Sequence, residues 1–180
     1  MSDWYMSSVT YREYDPTYPR VFARIADLVH EALPEIRIEH VGSTSVPGLG
    51  GRPVVDIVII CSWEIWEAAH RRLLGVGFKD FPYARTRPML TTSVHMAGNE
   101  YPVLAYVFPA DHEYVRAWKA FREYMSQHPE EIRRYAQTKR AAIEAGESDP
   151  QRYRAAKTRY LEELAKRIAW SESLLTHQTV

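Results

Sequence analysis

The sequence predicts an α/β chain of the α+β kind: a mixed sheet flanked by helices, with a helical extension behind it. Three observations lead there. Val54 to Cys61 is an almost unbroken β-branched run, the mark of a buried strand. Val21, Phe22, Ile25, Leu28, Val29 and Leu33 recur at helical spacing ahead of it. Beyond residue 110 the pattern becomes helical throughout. With 180 residues the chain is long enough for one core, so a single domain over 1–180 is expected, its sheet at about 36–108 and its C-terminal helices at about 110–175.

Each element has a local reason. Asp15-Pro16 opens a helix over Tyr18–Leu33 and Pro34 closes it. Ile36, Ile38 and Val41 alternate with polar residues in a short strand, and the β-branched run supplies the next. Ser62 introduces a helix through Trp66, Ala69 and Leu73 that ends at Gly75 or Gly77. Phe78–Tyr83, Met89–Met96 and Tyr101–Phe108 read as three more strands, with turns at Arg87-Pro88 and Gly98-Asn99. Helices follow over Ala110–Gln127, Pro129–Ala145 and Pro150–Leu175, parted by His128-Pro129 and by Gly146 to Pro150.

Composition narrows the functional classes. Twenty-three basic residues balance twenty-three acidic ones, so no global field draws the chain to nucleic acid or to an anionic membrane. Cys61 is the lone cysteine, which removes an internal disulfide and a cysteine-type zinc site and fits a cytoplasmic location. No apolar run approaches the roughly 20 residues that span a bilayer. Ser43 lacks the Gly-x-Ser-x-Gly elbow of a hydrolase, and the Gly-Lys-Ser or Gly-Lys-Thr of a Walker loop is absent.

The informative segment runs from Glu39 to Ile60 and joins a strand, a glycine-serine bend and a second strand carrying one acid, Asp56. Gly42 permits a backbone conformation that a side chain obstructs, while Ser43 and Thr44 bring hydroxyls and amides. A carboxylate within Pro53-Val-Val-Asp-Ile-Val-Ile-Ile60 needs a cation or a metal, because an unpaired buried charge is costly. A bend facing that acid suits a nucleoside triphosphate with magnesium held by Asp56. A tight loop with a structural Asp carries equal weight on spacing alone.

The run from His40 to Ile57 resembles the GrpB family, also called UPF0157, of the nucleotidyltransferase superfamily of the DNA polymerase beta type. Tyr14-Asp-Pro-Thr-Tyr-Pro19 is similar to the family's opening, and Tyr153 with Lys157 to its end, so the resemblance covers most of the chain. It implies a nucleotidyltransferase-like mixed sheet in which Gly42 and Ser43 bind phosphates and Asp56 is the first metal-holding acid. Val58 stands where the superfamily pattern has its second acid. Leu104 and Tyr106 occupy the places where many relatives have histidines, and Arg52 the place of a usual lysine.

Periodicity adds one independent clue. Ile132, Tyr135, Lys139 and Ile143 share one stripe, and Tyr153, Lys157, Tyr160, Leu161, Leu164 and Ile168 another. Each apolar stripe holds one lysine, which either meets an anion or snorkels to water. Should the stripes pack near the bend, Lys139 and Lys157 reach a nucleotide's phosphates with Tyr153 beside them. Between residues 130 and 170, ten basic residues face seven acidic ones, which favours a focused anion site over a broad basic patch.

Lesser candidates are Arg52, for a phosphate or a plain salt bridge; His40, more often a satisfied core histidine; His95 with Thr91, Thr92 and Ser93; and Glu100. Trp118, Phe121, Tyr124 and Tyr135 read as core. Two functions stay open. One is magnesium-dependent transfer of a nucleotidyl group from a nucleoside triphosphate to a small-molecule acceptor, with Asp56 catalytic. The other is a catalytically degenerate nucleotide-binding or protein-interaction module of the same fold.

Overall fold

β-branched side chains pack best on a pleated surface, and the longest such run becomes an inner strand. The computed structural model describes residues 9–84, 88–145 and 149–167. Its strands β1 (Arg37–Val41), β2 (Val55–Ile60), β3 (Lys79–Asp80), β4 (Met89–Met96) and β5 (Asn99–Phe108) form one mixed sheet in the order β1-β2-β5-β4-β3. β2 runs antiparallel to β1, with Val41 opposite Asp56, and parallel to β5, with Asp56 beside Leu104 and Val58 beside Tyr106.

The helices are α1 (Tyr18–Ala32), α2 (Trp66–Gly75), α3 (Glu113–Gln127), α4 (Pro129–Glu144) and α5 (Pro150–Arg167). The alternation of β2 and β5 divides the core. Val55, Ile57, Ile59, Val103, Ala105 and Val107 pack with α1 and α2 on one face. Val58, Leu104, Tyr106 and Phe108 pack with Val115 and Trp118 of α3 on the other, the face that Asp56 shares by parity. Phe121 and Met125 of α3 then meet Tyr135 of α4 and Tyr160, Leu161 and Leu164 of α5, around Val46 and Leu49 from the loop after the bend. That third cluster carries α4 and α5 to the end of the sheet where the bend lies.

Some boundaries differ from expectation. The strand expected over Phe78–Tyr83 is two residues long, because Pro82 lacks a ladder donor and the Ala84 amide turns back to the Phe81 carbonyl at 3.1 Å. The hairpin loop is Ala97-Gly98, both at positive φ (50° and 78°), so β5 starts at Asn99 and not Tyr101. α2 begins at Trp66 after turns that follow Ser62. α3 begins at Glu113, where the His112 ring accepts the Tyr114 amide at 3.3 Å. The expected run of the last helix to Leu175, with Ile168, lies outside the described residues, as does Arg87 of the expected Arg87-Pro88 turn. Among the described residues, no helix is long and apolar enough to cross a membrane.

Candidate functional site: a bend, one carboxylate and two lysines

β1 ends at Val41, and the chain turns sharply through Gly42 into a single 3-10 turn at Ser43–Ser45. Gly42 adopts φ 69° and ψ −169°, a region open in practice only to glycine. Two bonds close the bend: the Ser45 amide and hydroxyl both reach the Gly42 carbonyl, at 3.3 and 2.7 Å. A third brace comes from His40, whose Nε2 pairs with Thr44 Oγ1 at 3.0 Å while its ring stacks on Phe22 at 5.1 Å. Burial and the nearby Arg122 guanidinium push His40 down to about 4, so it is neutral at pH 7. The Thr44 hydroxyl is therefore engaged inside the bend.

Beyond the bend, Gly50 and Gly51 lie where two elements converge. Arg12 and Gly51 exchange both backbone hydrogen bonds at 2.8 Å, a one-residue bridge that straps the N-terminal segment over this turn. Beneath it the Lys139 ammonium donates to the Gly50 carbonyl and lies 4.5 Å from the Tyr135 ring centroid. Lys139 is 1% exposed, so the reading in which it snorkels to water is overturned. A Cβ at Gly51 would stand 2.7 Å from Lys139 Nζ and 3.4 Å from Ser43 Oγ. The glycine lets the lysine and the serine approach one another.

Asp56 occupies the floor of a narrow cavity of about 50 Å³ lined by Val41, Gly42, Ser43, Tyr106, Trp118, Phe121, Tyr135 and Lys157. The bend and the acid do share one side of the sheet: a Cβ at Gly42 would lie 2.6 Å from Asp56 Oδ2. Tyr106 donates to Asp56 Oδ1 at 3.5 Å. Desolvation pushes the carboxyl up to about 6 against the opposing pull of Lys157, Arg52 and Tyr106. Desolvation likewise lowers Lys157, with Asp56 resisting, and lowers Lys139 well below the lysine range, with Lys157 adding to the effect. Both halves of the Asp56–Lys157 pair are thus driven toward their neutral forms. Among the described residues no ion pair within 4.0 Å includes Asp56.

The structure thus brings Gly42, Ser43, Asp56 and Lys157 together around one cavity. Arg52 acts on Asp56 and Lys157 through its charge, and its backbone amide bonds the Tyr153 phenol. Tyr153 packs with Val9, Ala142 and Ala156, outside the cavity lining. His95 and Glu100 face each other across the exposed tip of the β4–β5 hairpin, also outside it. Tyr106 is the residue that sequence reasoning noted only as a departure. Its signal was alternation, since it follows Leu104 by two and lies on the same face as Asp56.

The donor set limits what metal chemistry fits. Val58 is 0% exposed within an apolar cluster, and no group of three His, Cys, Asp or Glu able to hold a metal exists among the described residues. One carboxylate opposite a lysine falls short of a two-metal site. It fits one magnesium that arrives with a polyphosphate, which then supplies the oxygens that Asp56 and Ser43 do not.

Fold and pocket together define an α/β protein with a charged, aromatic-walled cavity at the C-terminal end of β1 and beside β2. The GrpB family, described as GrpB protein, matches residues 8–167, and the chain belongs to that family. A UPF0157 protein of Halalkalibacterium halodurans is 29% identical over 165 residues, covering 89% of this chain and 83% of the relative. A second, of Streptomyces coelicolor, is 31% identical over 153 residues, 81% of this chain and 76% of the relative. The crystal structure of a conserved GrpB protein from Enterococcus faecalis has the same fold, with a TM-score of 0.71 at 22% identity over 90% of this chain and 100% of that one.

Proposed function

We propose that the chain binds the phosphate end of a nucleotide in the Asp56 cavity and holds it without transferring the nucleotidyl group. The observation that carries this reading is Val58, fully buried among Leu104, Tyr106 and Phe108 where a second acid is needed for two-metal transfer. Lys157 supplies the positive charge inside the cavity and Arg52 the charge at its edge. Ser43 offers a hydroxyl beside Gly42, whose missing side chain lets the bend close onto Asp56. Lys139, Thr44 and Tyr153 act as supports: the first holds the Gly50 carbonyl, the second the bend, and the third the Arg52 backbone. A magnesium ion accompanying the phosphates would be held by Asp56, and its chemistry there is to neutralise phosphate charge.

Thermal-shift titration with nucleoside triphosphates and magnesium tests this, on the parent and on Asp56→Ala. A stabilisation in the parent that is lost in the variant supports the site, and no stabilisation in either would overturn it. Incubation of the same complexes with small hydroxyl and amine acceptors tests turnover. Release of pyrophosphate by the parent, absent in Asp56→Ala, would restore the transferase reading.

A further inference from the structure

The cavity has four aromatic walls, yet their faces are already engaged. Tyr106 and Trp118 lie 4.8 Å apart between centroids. Phe121 meets Tyr135 edge-on at 6.1 Å, and Tyr135 stacks on Tyr160 at 4.6 Å and 12° while it also receives the Lys139 ammonium. None of Tyr106, Trp118, Phe121 and Tyr135 is more than 6% exposed. Stacking a nucleobase needs a ring face open to the ligand, and these rings are packed against protein.

Size and polarity agree. About 50 Å³ is far below the roughly 300 Å³ at which cavities begin to enclose drug-sized molecules. The polar side chains that line it are Ser43, Asp56, Tyr106 and Lys157, with the Tyr135 phenol and the Trp118 indole among the aromatic walls. Around them Lys157 and Arg52 outnumber the lone acid, and Lys157 adds to the cost of keeping Lys139 charged. An anion entering here relieves that repulsion, whereas a base would find no open ring face to stack on.

We infer that the site takes the terminal phosphoryl group of a polyphosphate and leaves the nucleoside outside, so that its ligand class is polyphosphate esters whatever their base. This rests on the phosphate-binding reading of the same cavity and sharpens it.

Titration calorimetry on the full chain with magnesium, using ATP, GTP, CTP, UTP, inorganic tripolyphosphate and adenosine, decides it. The four nucleotides and tripolyphosphate should bind with affinities inside about tenfold of one another, since a site that reads a base by hydrogen bonds separates analogues by more than that. Adenosine should give no heat. Nucleotide binding without tripolyphosphate binding, or a base preference beyond about tenfold, overturns this inference and leaves the nucleotide-binding proposal standing. Silence from every phosphate ligand overturns both. Lys157→Gln, with its fold checked by circular dichroism, should weaken all five phosphate ligands alike and Lys157→Arg should recover them. A Lys157→Gln protein that binds as the parent does overturns the assigned grip.

Discussion

Asp56 Oδ2 lies 2.6 Å from the point where a side chain at Gly42 would begin. The acid and the bend therefore fit together because position 42 has no Cβ, and because φ 69° with ψ −169° is available to glycine. Two separate penalties, one steric and one conformational, fall on any replacement.

Gly42→Ala is expected to destabilise the fold by about 1–3 kcal/mol from the backbone alone, with the contact to Asp56 adding to it. Urea unfolding measures the loss. A variant with the parent's midpoint would show that the bend does not press on Asp56. Gly75→Ala is the control, since a Cβ there meets nothing within 4 Å and ends a helix without positive φ.

Asp56 and His40 give stability opposite dependences on pH in nearly the same window. The folded Asp56 carboxyl is raised to about 6 from 3.8, so its contribution is fully present below about pH 3.8 and is lost as pH rises through 6. His40 is lowered to about 4 from 6.5, so its contribution is fully present above 6.5 and is lost as pH falls through 4. Asp56→Asn should therefore be more stable than the parent at pH 7.5, by up to about 3 kcal/mol, and equal to it below pH 4. In that variant the acid sensitivity caused by His40 stands alone. Denaturant unfolding at pH 4, 5, 6 and 7.5 checks both, and an Asp56→Asn protein with no gain at pH 7.5 would show that the carboxylate is better compensated than its surroundings indicate.

His40→Gln removes the other half. Its stability should fall as pH rises from 4 to 6, the mirror of the Asp56→Asn profile, on top of a pH-independent loss of about 1 kcal/mol from the bond to Thr44. Thr44→Val should show that pH-independent loss with the parent's pH profile, and a changed profile would assign the His40 shift to the wrong partner.

The sequence made the centre of this arrangement legible and its walls obscure. The β-branched run and the glycine beside it pointed to adjoining strands with Asp56 facing the bend, because strand parity and glycine chemistry are local. Burial of Lys139 was half legible, since its stripe was apolar but the Gly50 carbonyl that receives it lies 89 residues away. Trp118, Phe121 and Tyr135 read as core, and they are core; that they also close a cavity depends on how α3 and α4 meet the sheet. The Arg12–Gly51 bridge was invisible, since a single residue pair leaves no periodic trace. β3 is shorter than expected because aromatics at 78, 81 and 83 favour a strand even where Pro82 ends it.

Lys157 reaches the cavity from α5, and beside the apolar contacts that pack α5 on α4 stands Glu131. Its carboxylate is 3% exposed and receives the Tyr160 hydroxyl at 2.5 Å, two Arg167 donors at 2.9 Å each and Arg134 at 3.0 Å. These hydrogen bonds and charges hold Glu131 below the usual carboxylate range despite its desolvation. The arginines are half exposed and return to water when the acid is removed, so the main cost is at the buried Tyr160 hydroxyl, which exchanges a charged acceptor for the Glu131 carbonyl at 3.2 Å alone. Glu131→Ala should cost about 2 kcal/mol, and Glu131→Gln less because one acceptor oxygen remains. Tyr160 also stacks on Tyr135, a wall of the cavity, so loosening α5 should weaken phosphate binding along with stability. Calorimetric titration with tripolyphosphate at a temperature where both variants remain folded separates the two effects. Unchanged affinity in Glu131→Ala would mean that Lys157 is held in place by its own packing and not by the Glu131 cluster.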